Sequence, residues 1–216
     1  MSATANTFAR ESHIDALAHI AGADPLRFRL RHLDDQRLAA VLKAAGRRFG
    51  WRPGWQPAGH PAWRDAQWVW RGNGLAVGLE KGGRVATCAE VLCDAAGQVR
   101  VTRIVTAYEC GAVVNPDTVV SQIEGGTVMA LGGALSESVA FNHGRIAVPS
   151  LSGYRVPRFT DVPELDVVLL DRPDLPSAGA GETPLIAVAP AIANAIFAAT
   201  GRRLRSLPLL PDGRVR

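Results

Sequence analysis

Most of the signatures that announce a chemistry are missing from this chain. Its 216 residues hold three cysteines, Cys88, Cys93 and Cys110, with no C-x-x-C pair. An odd, scattered set argues against a disulfide framework and a zinc site and fits a reducing compartment. The five histidines are dispersed, with no two at a ligand spacing on a shared face, so no metal held by side chains is expected. There is no G-x-S-x-G elbow, no Walker loop and no G-x-G-x-x-G opening a helix; the nearest run, GAGE, has two glycines followed by an acid. Serine hydrolase and nucleotide-binding readings lose their support. The opening MSATANTFARESH lacks an apolar h-region, and no window is expected to reach the roughly 18 apolar residues of a membrane span. The net charge of +4 comes from scattered arginines with a cluster at Arg202, Arg203, Arg205, Arg214 and Arg216. No aromatics interleave with them, so a solvated basic tail is expected rather than a nucleic-acid surface.

What is present is an ordinary globular balance of 47% hydrophobic and 20% charged residues, enough for a buried core. Residues 1–50 read as a helical lead segment. Ser12 caps a first helix with Ile14, Leu17, Ala18 and Ala21 on one face, Asp24-Pro25 starts a second, and Leu38, Val41, Leu42, Ala45 and Phe49 share one side of a third. Residues 51–74 hold all five tryptophans among prolines and glycines and read as a crossing loop. From residue 75 the pattern turns to strands, with a hairpin at Ala95-Ala96-Gly97 and another turn at His143-Gly144. Asn115-Pro116 caps a long helix, and LIAVAPAIANAIFAAT forms a last one. The fold class is therefore α+β: an antiparallel or mixed sheet packed against long helices at 115–138 and 185–199, with residues 75–216 as the main domain.

Two stretches set a polar residue among glycines and small apolar residues: SQIEGGTVMALGG and SAGAGETP. In the first, Gly125, Gly126, Gly132 and Gly133 each cost a helix about 1 kcal/mol relative to alanine. Close backbone approach, to another helix or to a ligand, would justify them. In the second, Glu182 precedes Thr183-Pro184 and an almost wholly apolar helix. As bare structure it is a first-turn carboxylate favoured by the helix dipole. If that helix is buried, Glu182 is partly removed from water, the condition of a general base.

The ordered segments ARESHIDALAHIAGADPLRFRLRHL, CGAVVNPDTVVSQIEGG and GAGETPLIAVAPAIANAIFAATGRRLRSLPL closely resemble the C-terminal part of the molybdopterin-binding large subunit of the xanthine dehydrogenase and aldehyde oxidase family. Within it, the resemblance is nearest to the branch that holds the isoquinoline 1-oxidoreductase beta subunit. It runs from about Asn6 to Leu209. It implies a molybdenum hydroxylase that inserts water-derived oxygen into an aldehyde or N-heterocycle C–H bond, with Glu182 as active-site base. It also implies that Gln122, Gly125, Gly126, Gly179, Ala180 and Gly181 contact a molybdopterin cofactor, in its cytosine dinucleotide form. The metal would be held by the pterin dithiolene and by no side chain. The implied partners are the family's N-terminal molybdopterin-binding portion, which these residues do not include, and a 2Fe-2S subunit or haem electron acceptor. The expected location is cytoplasmic, or periplasmic if an exported partner carries the chain. The competing expectation is a truncated, catalytically silent fragment or assembly module that retains the fold.

Overall fold

The computed structural model describes residues 2–52 and 68–215; most of the tryptophan-rich crossing segment lies outside the described residues. Three helices come first: α1 Ser2–Ile20, α2 Pro25–His32 and α3 Gln36–Phe49. Then follow β1 Trp68–Glu80, β2 Gly83–Asp94, β3 Val99–Glu109, α4 Pro116–Leu135, the two-residue strands β4 Phe141–Asn142 and β5 Arg145–Ile146, β6 Glu164–Leu169 and α5 Val188–Thr200. The main sheet has the order β1-β2-β3-β6; its first three strands are antiparallel and β6 runs parallel to β3.

Alternate side chains of the strands feed two cores. On one face Ala76, Val85, Ala89, Val91, Ile104 and Tyr108 pack with α4 and α5. On the other, Leu75, Val77, Ala86, Cys88, Val105 and Ala107 meet Leu38, Val41, Leu42, Ala45 and Phe49, the five residues expected on one side of α3. Asp24 accepts from Arg27 N at 2.9 Å and Asn115 from Thr118 N at 3.0 Å, so both expected caps are in place. The turns at residues 95–97 and 143–144 also form where expected.

Several expectations are corrected. The stretch 68–74 is strand and not loop, because β1 starts at Trp68. Ser12 caps nothing: α1 begins ten residues earlier and buries Thr7, Phe8, Glu11, Ser12, Asp15 and Ala18, while Leu17 is exposed. The reason is that α1 lies along the free edge of β1. Glu11 Oε2 accepts from Val77 N at 3.1 Å, Arg10 donates to Val77 O at 3.2 Å, and from α5 Asn194 donates to Leu75 O at 3.1 Å. An edge strand's outward N–H and C=O groups need such partners, so the buried face of α1 is polar. Glu11 is in turn held by Arg29 at 2.9 Å, both side chains 1% exposed.

Arg203 is not part of a solvated tail either. It donates to Asp15 at 2.7 Å and Asn194 Oδ1 at 3.0 Å and stacks over Phe197. The expectation that no window is apolar enough for a membrane span also fails on composition: Thr183–Thr200 qualifies by length and hydropathy, and 83% of it is buried inside the protein. Two glycines of β1 explain how α5 sits so close. A Cβ at Gly72 would fall 2.1 Å from Ala195 O, and one at Gly74 would fall 2.2 Å from Ala191 O.

Candidate functional site

The N-terminal turn of α4 and the loop preceding α5 meet across the end of the sheet. Val114, Asn115, Thr118, Val119 and Gln122 form one wall of an open cavity of about 360 Å³, and Ser177, Gly179, Ala180 and Gly181 form the other. Residues singled out from two distant stretches of sequence, Gln122 and Gly179 to Gly181, are thereby brought together. Gly125 and Gly126 are not: they lie further along α4, Gly125 facing open space and Gly126 in ordinary contact distance of Leu185.

The loop is held by bonds to the sheet. Tyr108, 1% exposed, donates its hydroxyl to Gly179 O at 2.7 Å, and Ala178 N donates to Cys110 O at 2.7 Å. Burial pushes the Tyr108 phenol up to about 12, so the donating proton stays in place across the neutral range. Thr183 Oγ1 donates to Glu80 O at 3.1 Å. Gly179 has a φ of +71°, which a side chain would strain, yet nothing lies within 4 Å of where a Cβ at Gly179 or Gly181 would point. These two positions leave room at the cavity wall instead of filling a packing gap.

Glu182 follows this wall directly, but its surroundings differ from those expected. It precedes a single 3-10 turn, Thr183–Leu185, and α5 begins only at Val188, so the carboxylate is neither in the first turn of the long helix nor a side-chain cap. Its side chain is 46% exposed and pairs with Lys81, whose Nζ donates to Oε2 at 2.9 Å. The expectation of a carboxylate withdrawn from water is thus corrected. Apolar sequence begins at Leu185, while Glu182 is still at the surface and turned toward Lys81 at the tip of the β1–β2 hairpin. Lys81 was not singled out by sequence reasoning; the signal available was E-K-G-G between two strand patterns.

The cavity suits a cofactor that needs backbone approach and a polar anchor. Gly179 and Gly181 line it with nothing within 4 Å of where a Cβ would stand, and the Gln122 amide, exposed on the wall, makes no hydrogen bond to any described residue. The partial positive charge at the start of α4 favours an anionic group nearby. Among the described residues no group of three metal-ligating side chains occurs.

Comparison with known proteins identifies that cofactor class. Residues 78–163, which include Gln122 but not Glu182, match the family model of the molybdopterin cofactor-binding domain. The chain is 39% identical over 221 residues to a nicotinate dehydrogenase subunit of Pseudomonas putida, covering 98% of this chain and 18% of that protein. It is 34% identical over 210 residues to the isoquinoline 1-oxidoreductase beta subunit of Brevundimonas diminuta, covering 94% of this chain and 25% of that one. Among solved structures, the aldehyde oxidoreductase of Desulfovibrio gigas matches with a TM-score of 0.53 at 35% identity, over 61% of this chain and 15% of that one. Quinoline 2-oxidoreductase of Pseudomonas putida matches with a TM-score of 0.55 at 28% identity, over 61% and 18%. The chain belongs to the molybdopterin-binding subunits of the xanthine dehydrogenase family. It spans about a fifth to a quarter of the length of the first two curated relatives named here.

Proposed function

We propose that the chain supplies one wall of the molybdopterin site of a molybdenum hydroxylase. Glu182 acts as the base when water-derived oxygen is inserted into an aldehyde or N-heterocycle C–H bond. The observation that carries this reading is the meeting of Gln122 with Gly179, Ala180 and Gly181 at one cavity, with Glu182 the next residue along the chain from that wall. When bound, the molybdenum cofactor supplies the two-electron redox chemistry that no side chain here can perform. The protein's share is binding and proton transfer. Gln122 holds the pterin through its amide, the bare backbone at Gly179 and Gly181 lets the ligand come close, and the α4 N-terminus favours its anionic groups. Glu182 takes a proton at a carboxylate oxygen, and an acceptor within hydrogen-bond reach of the reacting group is the requirement for that role.

The identities of the relatives support an N-heterocycle or an aldehyde as substrate, since nicotinate, isoquinoline, quinoline and aldehyde oxidoreductases are among them. The same reading takes the cytosine dinucleotide form of the cofactor, the remaining molybdopterin-binding portion as a partner, a 2Fe-2S subunit or haem as electron acceptor, and the cytoplasm as the location. The test is a complex reconstituted with that remaining portion. Glu182→Gln abolishes turnover while molybdenum content stays near the wild-type level, because only the proton acceptor is lost; normal turnover refutes the base. Gln122→Ala lowers molybdenum per protein, and unchanged occupancy makes Gln122 merely structural. A chain that carries no molybdenum with or without the partner portion would be the silent fold-retaining module instead.

A further inference from the structure

Between β1 and β2 the chain reverses through only Lys81 and Gly82, with Glu80 and Gly83 paired across the hairpin. Both turn residues have positive φ, +49° at Lys81 and +86° at Gly82, the requirement of a type I′ turn. The first position of that turn favours asparagine, aspartate or glycine, because a long side chain is strained in the left-handed region. Lysine is a poor residue for making this turn. What it offers is reach: its ammonium donates to Glu182 Oε2 at 2.9 Å, across 101 residues of chain.

The rest of the hairpin tip grips the same loop. Glu80 O accepts the Thr183 hydroxyl at 3.1 Å. A Cβ at Gly83 would stand 2.5 Å from the Tyr108 hydroxyl oxygen and 3.2 Å from Thr183 Cγ2, and one at Gly82 would stand 3.1 Å from Ala178 Cβ. The residues on both sides of Glu182 are therefore fixed against the tip, and Lys81 reaches the carboxylate itself. The charged groups acting on the ammonium are Glu182, through the hydrogen bond and its charge, and Glu80 more weakly; together they raise the Lys81 pKa above its ordinary value.

We propose that Lys81 is a positioning residue for Glu182, the β1–β2 hairpin tip clamping the loop at 178–183 while the ammonium holds the carboxylate in one orientation at the cavity rim. The consequence for turnover rests on the reading of Glu182 as the base; the clamp does not. A half-exposed glutamate would otherwise sample several rotamers, and misplacement of a reacting group by about 1 Å can cost on the order of a hundredfold in rate. An exposed ion pair adds little to folding, so its variants keep the fold.

The experiment has two arms. In the full chain, the Lys81 ammonium is titrated by nitrogen-detected NMR, where it loses its proton above the ordinary 10.5; Glu182→Gln brings it back toward that value. Lys81→Asn, which suits the turn, leaves the melting temperature unchanged but lets the Glu182 side chain average among rotamers. In the molybdenum-loaded complex, Lys81→Asn lowers kcat about tenfold or more with KM and molybdenum content unchanged, and Lys81→Arg restores most of the loss. A Lys81 titration identical in wild type and Glu182→Gln overturns the clamp. Wild-type kcat in Lys81→Asn, with Glu182→Gln inactive, overturns the positioning role and leaves the base standing. Normal turnover in Glu182→Gln with the NMR coupling intact overturns the base and the catalytic consequence of the clamp together.

Discussion

Two groups of glycines in this chain do opposite things. At the β1–α5 seam, Gly72 and Gly74 are pressed against helix backbone, where a Cβ would come within 2.1 to 2.2 Å of a carbonyl oxygen. At the cavity, Gly179 and Gly181 have nothing within 4 Å of where a Cβ would point. One pair lets two elements of the protein touch, while the other leaves open space beside a cavity wall. The difference also divides the molecule: the seam is closed by packing and buried ion pairs, while the rim of the cavity is exposed and held by a few hydrogen bonds and the Lys81–Glu182 contact.

The largest effect is expected where the closed side depends on charge. Arg29 joins Glu11 at 2.9 Å, and Glu11 holds the β1 edge through Val77 N. Arg29→Met leaves the buried Glu11 without its buried cation, with only the half-exposed Arg10 at 3.2 Å beside it, while Asp15 keeps Arg203; breaking such a buried pair costs about 3–5 kcal/mol. Urea denaturation reads the loss as a lower midpoint at constant slope. The double variant Glu11→Gln/Arg29→Met recovers part of it, because the uncompensated charge is gone while the side-chain amide carbonyl that replaces the carboxylate still accepts from Val77 N. Next comes Gly74→Ala at about 3 kcal/mol, near the top of the overpacking range, since the neighbours it meets are helix backbone that cannot rotate away. A variant as stable as wild type would mean that α5 moves freely over β1 and that the seam is not closed.

The core of α3, both helix caps and the hairpin turns were legible because each depends on a local pattern: a 3.6-residue period or a residue whose side chain satisfies a nearby N–H. The buried face of α1 was not, because Glu11 and Asp15 are inside to serve the edge of β1 and Arg29, partners set by tertiary contact. Of the site, the glycine-rich settings marked the two stretches, the family resemblance singled out Gln122 and Gly179 to Gly181 within them, and the structure brings these residues to one cavity. The exposure of Glu182 could not be read from the apolar run behind it, since burial begins at Thr183 while the carboxylate turns outward to Lys81. Nor could Gly72 and Gly74 be told from Gly179 and Gly181, because composition does not say which side of a glycine is filled.

A moderate effect, and a pH-dependent one, is expected at Glu109, whose side chain is 2% exposed beneath the connection from β3 to α4. Burial alone would raise its carboxyl pKa. The Arg37 guanidinium, donating at 2.5 and 2.7 Å, and Gly111 N, donating at 2.5 Å, outweigh burial and hold it below the ordinary 4.5. A depressed folded-state pKa contributes stability that is present above 4.5 and is lost as pH falls through the folded value. Glu109→Gln therefore costs about 2 kcal/mol near neutrality, and the gap to wild type narrows on acidification. Parallel denaturation curves with a gap constant between neutral and strongly acidic pH would contradict this.

The smallest effect on folding is the sharpest test of the contrast. Gly181→Ala adds a methyl group that meets nothing within 4 Å, at a φ outside the left-handed region. It should change stability by no more than about 0.5 kcal/mol, and restricting the unfolded chain pushes that change toward stabilisation. Set beside Gly74→Ala, the same chemical change then differs by a factor of several in stability. In the complex with the remaining molybdopterin-binding portion the order reverses. The methyl group of Gly181→Ala occupies space at the cavity wall, so molybdenum per protein falls, whereas whatever Gly74→Ala still folds retains its metal. Full occupancy in Gly181→Ala would show that the open side of this glycine faces solvent and that the cofactor approaches the loop elsewhere.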